Sequence, residues 1–104
     1  MNRILVTGAN GQLGNEIRVL AREYPEISFC FTDYDTLDVT DSSAVEFFLT
    51  DYQPEAVINC AAYTEVEKAE TEKEKAFLLN ALAPGILARV CGQIAARFIH
   101  ISTD

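Results

Sequence analysis

Gly8, Gly11 and Gly14 recur at intervals of three directly after the apolar run Ile4-Leu5-Val6. Behind them Leu13, Ile17, Val19 and Leu20 recur at helical spacing. A strand that feeds a helix through a glycine turn makes an anion site. The first-turn N–H groups of the helix have no internal partner, and the helix dipole adds positive potential there. Glycine allows the tight turn, the close approach of a pyrophosphate and the packing of helix on strand. The spacing is Gly-x-x-Gly-x-x-Gly, and glycines also cluster in loops that bind nothing. An acid adds weight to the pattern: Asp33 ends the next predicted strand about 20 residues after Gly14, where a ribose-binding carboxylate belongs.

The elements that must position these groups alternate. Strands are expected over 3–7, 27–32, 56–59 and 98–101, the third short, apolar and buried on both faces. A first helix is expected over 12–23, closed by Pro25, and a second is capped by Asp41-Ser42-Ser43 and runs through Val45, Phe47, Phe48 and Leu49. A long helical region over 66–95 is interrupted at Pro84-Gly85, which ends one helix and starts or kinks the next. Strands alternating with helices imply a parallel α/β sheet, whose ligands bind beyond the carboxyl ends of its strands. Gly8, Asp33, Cys60-Ala61-Ala62 and Ser102-Thr103-Asp104 all fall at that edge.

A chain of 104 residues is expected to form one domain. The 49% hydrophobic content suits a packed core. A formal net charge of -8 argues against nucleic acid and against an anionic membrane surface as partners. A negative protein still binds phosphate where a glycine loop sets the local potential. Strand structure begins almost at once and no apolar run is long enough to span a bilayer, so neither a signal peptide nor a membrane anchor is expected, and the location is expected to be cytoplasmic. Cys30, Cys60 and Cys91 form no Cys-x-x-Cys, which fits buried, inert thiols in a reducing compartment. His100, the only histidine, lies between Ile99 and Ile101 and is expected to be a structural strand residue, with no metal site. Residues 65–75, rich in Glu and Lys, suit a solvated helix face.

Together these residues resemble the extended short-chain dehydrogenase/reductase superfamily and, within it, the dTDP-4-dehydrorhamnose reductases, along the whole chain. Thr7-Gly8-Ala9-Asn10-Gly11-Gln12-Leu13-Gly14 is similar to that family's opening loop. Leu37-Asp38-Val39-Thr40-Asp41 resembles its Leu-Asp-x-Thr-Asp segment. Val57-Ile58-Asn59-Cys60-Ala61-Ala62-Tyr63-Thr64 with Lys68-Ala69-Glu70 is the most discriminating block. Asn80-Ala81 fits the helix position from which an Asn steadies the site, and His100-Ile101-Ser102-Thr103-Asp104 resembles the strand carrying the catalytic hydroxyl.

The resemblance implies that residues 1–104 form the N-terminal part of a Rossmann-like, doubly wound parallel sheet, an NAD(P)-binding domain without its C-terminal substrate-binding region. Gly8, Asn10 and Gly14 would belong to the cofactor-binding loop, and the amides around Gly11, Gln12 and Leu13 would meet the pyrophosphate. Asp33 would accept the adenosine ribose hydroxyls and repel a 2′-phosphate; Asp38 and Val39 would line the adenine pocket. Ala61, Ala62, Tyr63 and Thr64 would pass the nicotinamide ribose. Thr103 would hydrogen-bond the substrate carbonyl as the catalytic hydroxyl, with Asp104 beside it at the sugar-nucleotide side. The loop carries no Arg or Lys for a 2′-phosphate, so NADH is favoured over NADPH, although the family often accepts both.

The implied reaction of the parent protein is reduction of the 4-keto group of dTDP-4-dehydro-6-deoxy-L-mannose to dTDP-L-rhamnose, and a homodimer is left open. The superfamily's Tyr-x-x-x-Lys pair is missing: none of Tyr24, Tyr34, Tyr52 and Tyr63 has Lys four residues on. The 104 residues are therefore expected to be a fragment of a longer chain, inactive as a reductase alone. Two alternatives stay open. One is a non-catalytic dinucleotide-binding regulatory module; the other is a sugar-nucleotide epimerase or dehydratase of the same superfamily.

Overall fold

The computed structural model describes residues 2–60 and 78–101. Four parallel strands, β1 (Arg3–Thr7), β2 (Ser28–Phe31), β3 (Ala56–Asn59) and β4 (Arg97–His100), lie in the order β2-β1-β3-β4. The helices are α1 (Gln12–Ala21), α2 (Ser42–Tyr52) and α3 (Ala83–Gln93), with a π-helical turn over Leu78–Leu82 leading into α3. The expected doubly wound α/β sheet is present, and its order places the switch point between β1 and β3. The chain leaves β1 for β2 on one side and returns across β1 to β3 on the other, so the winding reverses between these two strands.

Register decides what each face buries. Leu5 pairs with Cys30 and Val57, and Val57 pairs with Phe98, so these side chains share one face. Val45 and Leu49 from α2, and Ala83, Leu87, Val90 and Cys91 from α3, close over that face, with Leu37 and Val39 filling its end. On the opposite face Arg18 of α1 lies over the Phe31 ring at 5.0 Å. Burial pushes the Cys91 thiol up to about 11, so it stays protonated and inert at neutral pH. Cys30 and Cys60 are only half-buried, less enclosed than expected, yet burial raises both of their thiols as well.

Several boundaries differ from expectation for local reasons. The first helix stops at Ala21 rather than residue 23, because Arg22, Glu23 and Tyr24 bond to Val19, Leu20 and Ala21 in tight three-residue turns. Val19 and Leu20 are 58% and 51% exposed, so neither belongs to the core. β2 loses Ile27, whose N–H turns back to Tyr24. β4 begins at Arg97, one residue early. Pro84 lies in the first turn of α3, directly after the π-helical turn over Leu78–Leu82, so the expected interruption is a change of winding within a continuous helical stretch. The expected helical stretch over 66–77, with its Glu- and Lys-rich face, lies outside the described residues.

Helix α2 has a well-made start. Asp41 is extended and its carboxylate accepts from the N–H groups of Ser43 (3.1 Å) and Ala44 (3.3 Å), as the sequence signal implied. At the other end the Gln53 carbonyl accepts two bonds from the Arg3 guanidinium, fastening the helix terminus to β1. Asp41→Ala is expected to cost about 1 kcal/mol of stability. Urea denaturation measures it, and an unchanged midpoint would show that the cap carries no net energy.

Candidate functional site

The glycine turn is built from two constraints and one vacancy. Gly8 has φ 64°, the left-handed region that L side chains rarely adopt. Gly14 packs α1 so tightly on the turn that a Cβ there would sit 2.2 Å from the Ala9 carbonyl oxygen. The protein itself therefore requires both. Gly11 differs: its φ of -83° suits any residue, and a Cβ would meet nothing within 4 Å. The space above Gly11 is open, as a dinucleotide pyrophosphate would need.

Gly11 is also the N-cap of α1, with no side-chain capping bond and no acid in the first turn. The contrast with α2 is direct, since the same chain fills that helix start with the Asp41 carboxylate. The amides that open α1, at Gln12 and Leu13, have neither an intrahelical acceptor nor a side-chain cap. Gln12 is exposed and Leu13 half-buried. The residues present fit the phosphate end of a dinucleotide.

Asp33 stands where expected, directly beyond β2. Its Oδ1 accepts from the N–H groups of Asp35 (3.0 Å) and Thr36 (3.1 Å), and its Oδ2 accepts from Asn10 Nδ2 at 2.6 Å. The Thr36 backbone N–H, followed by the Asn10 amide, holds the Asp33 carboxyl below the usual aspartate range. Asp38 Oδ1 accepts from the Thr40 N–H (2.9 Å) and hydroxyl (2.6 Å), which shapes the next bend. The Val39 side chain is 3% exposed and packed in the core with Leu37. The alternation of this loop sends every second residue inward.

A polar row across the sheet edge escaped the sequence reading. Register sets Thr7 beside Asn59 and Asn59 beside His100, two residues beyond the apolar row Leu5-Val57-Phe98 on the same face. The buried Thr7 hydroxyl donates to Asn59 Oδ1 at 2.7 Å. Asn59 Nδ2 lies 3.2 Å from His100 Nδ1, linking β3 to β4 at this level. His100 also stacks on Phe98, with centroids 6.3 Å apart. It is a strand residue as expected, but one that joins the ends of β1, β3 and β4. The only available signal was a polar residue closing each apolar strand. Thr36 was missed too, although an Asp followed three residues later by Thr is a turn signature. Ala61, Ala62, Tyr63, Thr64, Thr103 and Asp104 lie outside the described residues. Asn80 is exposed in the π-helical turn.

The family model for the RmlD substrate binding domain matches residues 1–104, the whole chain. The chain belongs to this family. The dTDP-4-dehydrorhamnose reductase of Mycolicibacterium smegmatis is 43% identical over 102 residues, covering 98% of this chain and 30% of that protein. The crystal structure of a dTDP-4-dehydrorhamnose reductase from Clostridium acetobutylicum superposes with a TM-score of 0.87 at 40% identity, over 92% of this chain and 34% of that one. A Bacillus anthracis dTDP-4-dehydrorhamnose reductase in complex with NADP gives 0.84 at 34% identity, over 94% and 35%. The chain thus spans about a third of the length of these relatives. Among the described residues no group of His, Cys, Asp and Glu could hold a metal, and no helix is long and apolar enough to cross a membrane.

Two outcomes follow from this geometry. Thr7→Val removes the donor that Asn59 Oδ1 receives inside the protein and is expected to cost about 1–3 kcal/mol in urea denaturation. Because the Asp33 carboxyl titrates low when folded, the stability linked to it is present above the unfolded value of about 3.9. It is lost as pH falls through the lowered folded value. Carbon-detected NMR of the Asp33 carboxyl should find a midpoint below that of ordinary aspartate; a midpoint at or above it would contradict the bonding described.

Proposed function

We propose that the full-length protein carrying this chain reduces the 4-keto group of dTDP-4-dehydro-6-deoxy-L-mannose to dTDP-L-rhamnose with a reduced nicotinamide dinucleotide. One observation carries the dinucleotide half of this reading: α1 begins uncapped under open space at Gly11, with the Asp33 carboxylate beside it. The substrate half rests on the relatives named dTDP-4-dehydrorhamnose reductase. Residues 1–104 then act as the nucleotide-binding domain, and the remaining two-thirds of such a protein would hold the sugar.

Gly8 and Gly14 shape the turn, and the amides of Gly11, Gln12 and Leu13 hold the pyrophosphate. Asp33 accepts hydrogen bonds from the adenosine ribose, and its charge disfavours a 2′-phosphate. No Arg or Lys occurs in 8–14 or 33–41 to offset that charge, so NADH is the preferred cofactor and NADPH the weaker one. The Asp38 turn and the backbone at Val39 border the adenine. When bound, the cofactor supplies the hydride. Ala61, Ala62, Tyr63 and Thr64 form the floor beneath the nicotinamide ribose. The Thr103 hydroxyl donates to the substrate carbonyl and stabilises charge as it develops on that oxygen, and Asp104 faces the sugar nucleotide. The three free thiols and a nucleotide-sugar substrate fit a cytoplasmic enzyme.

The test is turnover of the dTDP-4-keto sugar by the full-length protein, followed by loss of reduced-nicotinamide absorbance. NADH should give the lower KM. Thr103→Val should lower kcat by about a hundredfold while leaving cofactor affinity in place, in line with the loss of one oxyanion donor. Binding of both substrates without turnover would favour a regulatory module.

A further inference from the structure

We propose that Asn10 is a specificity-determining residue of the adenosine-ribose subsite: its carboxamide and the free edge of the Asp33 carboxylate together recognise a ribose diol. The proposal deepens, and rests on, the dinucleotide function proposed above.

A carboxylate that grips a vicinal diol from both prongs needs both oxygens. Here Asp33 Oδ1 is already taken by the Asp35 and Thr36 N–H groups at 3.0 and 3.1 Å, with the Thr36 hydroxyl 3.2 Å away. Only Oδ2 remains, and it holds Asn10 Nδ2 at 2.6 Å. A carboxylate oxygen offers about two lone-pair sites, so Oδ2 has room for one hydroxyl more. The second hydroxyl of the diol must find another acceptor.

Asn10 supplies it. Its Nδ2 is turned toward Asp33, which leaves the carbonyl oxygen at the other end of the same planar group, on an exposed side chain. Among the described residues no hydrogen bond is donated to that oxygen. Two acceptors, Asp33 Oδ2 and Asn10 Oδ1, therefore flank one hydrogen bond. A vicinal diol brings two donors to match them. A 2′-phosphate, largely dianionic at neutral pH, brings acceptors against acceptors. The arrangement exists before any ligand arrives, because the Ala9 N–H donates to the Thr32 carbonyl at 2.8 Å and pins the residues before Asn10 and Asp33 to each other.

The test is a titration of the full-length protein with NADH and with NADPH, by calorimetry or nicotinamide fluorescence, in the absence of sugar substrate. Asn10→Ala is expected to weaken NADH about tenfold, the upper end for one neutral hydrogen bond, and to move the affinity ratio toward NADPH by a similar factor. Asn10→Ser, which keeps an oxygen acceptor, should recover part of the ratio, and it carries the test if the alanine variant does not fold. In an Asp33→Ala background, adding Asn10→Ala should weaken NADH further. An unchanged ratio, or no further loss in that background, would overturn the proposal while dinucleotide binding stands. Failure of the unsubstituted protein to bind either nucleotide would overturn both.

Discussion

The site depends on a single backbone hydrogen bond, from Ala9 to Thr32, and on the contact that backs it. That bond ties the turn after β1 to the end of β2, two segments that the sequence separates by more than twenty residues. Gly14 then presses α1 against Ala9 from behind, at a distance that no side chain would permit. With the turn held on both sides, the start of α1 and the Asp33 carboxylate have fixed places relative to each other. Neither group would make a nucleotide site alone: an uncapped helix start attracts any anion, and an acid beyond a strand is often only a turn residue.

The chain carries a net charge of -8, yet the dinucleotide proposed for it is phosphorylated. Much of the acidity near the edge is committed to backbone. Asp33 bonds the N–H groups of its own turn, Asp38 bonds Thr40, and Asp41 caps α2. Each of these carboxylates accepts hydrogen bonds from local N–H groups. Helix α1, the one proposed to meet the pyrophosphate, has no acid in its first turn. Net charge speaks to partners of the whole surface, and the pyrophosphate would feel the nearest amides.

The polar row Thr7-Asn59-His100 shows how the same sheet manages the boundary between core and site. Two residues earlier, on the same face, the row is Leu5-Val57-Phe98 and wholly apolar. A buried polar group is tolerated only if it is bonded, and here the partners lie on neighbouring strands. The row therefore resists slippage of β1, β3 and β4, because moving any strand by one residue would set a polar group against an apolar one. The loops that leave these strands start from aligned points.

Residue order alone was enough to determine the alternation of strands and helices, the glycine turn, the Asp41 cap and the carboxylate at Asp33. These are local: spacing, capping chemistry and the conformational freedom of glycine act within a few residues. Tertiary structure decided the strand order, the inward turn of Val39, the cross-strand row at Asn59 and the pairing of Asn10 with Asp33. Each of these depends on which segments become neighbours, and the β2-β1-β3-β4 order that makes them so is a property of the packed sheet, which no stretch of the chain expresses by itself. Pro84 lies between the two cases: its place beside Gly85 marked an interruption, but only the folded backbone showed that π-helical winding up to Leu82 passes there into α-helix.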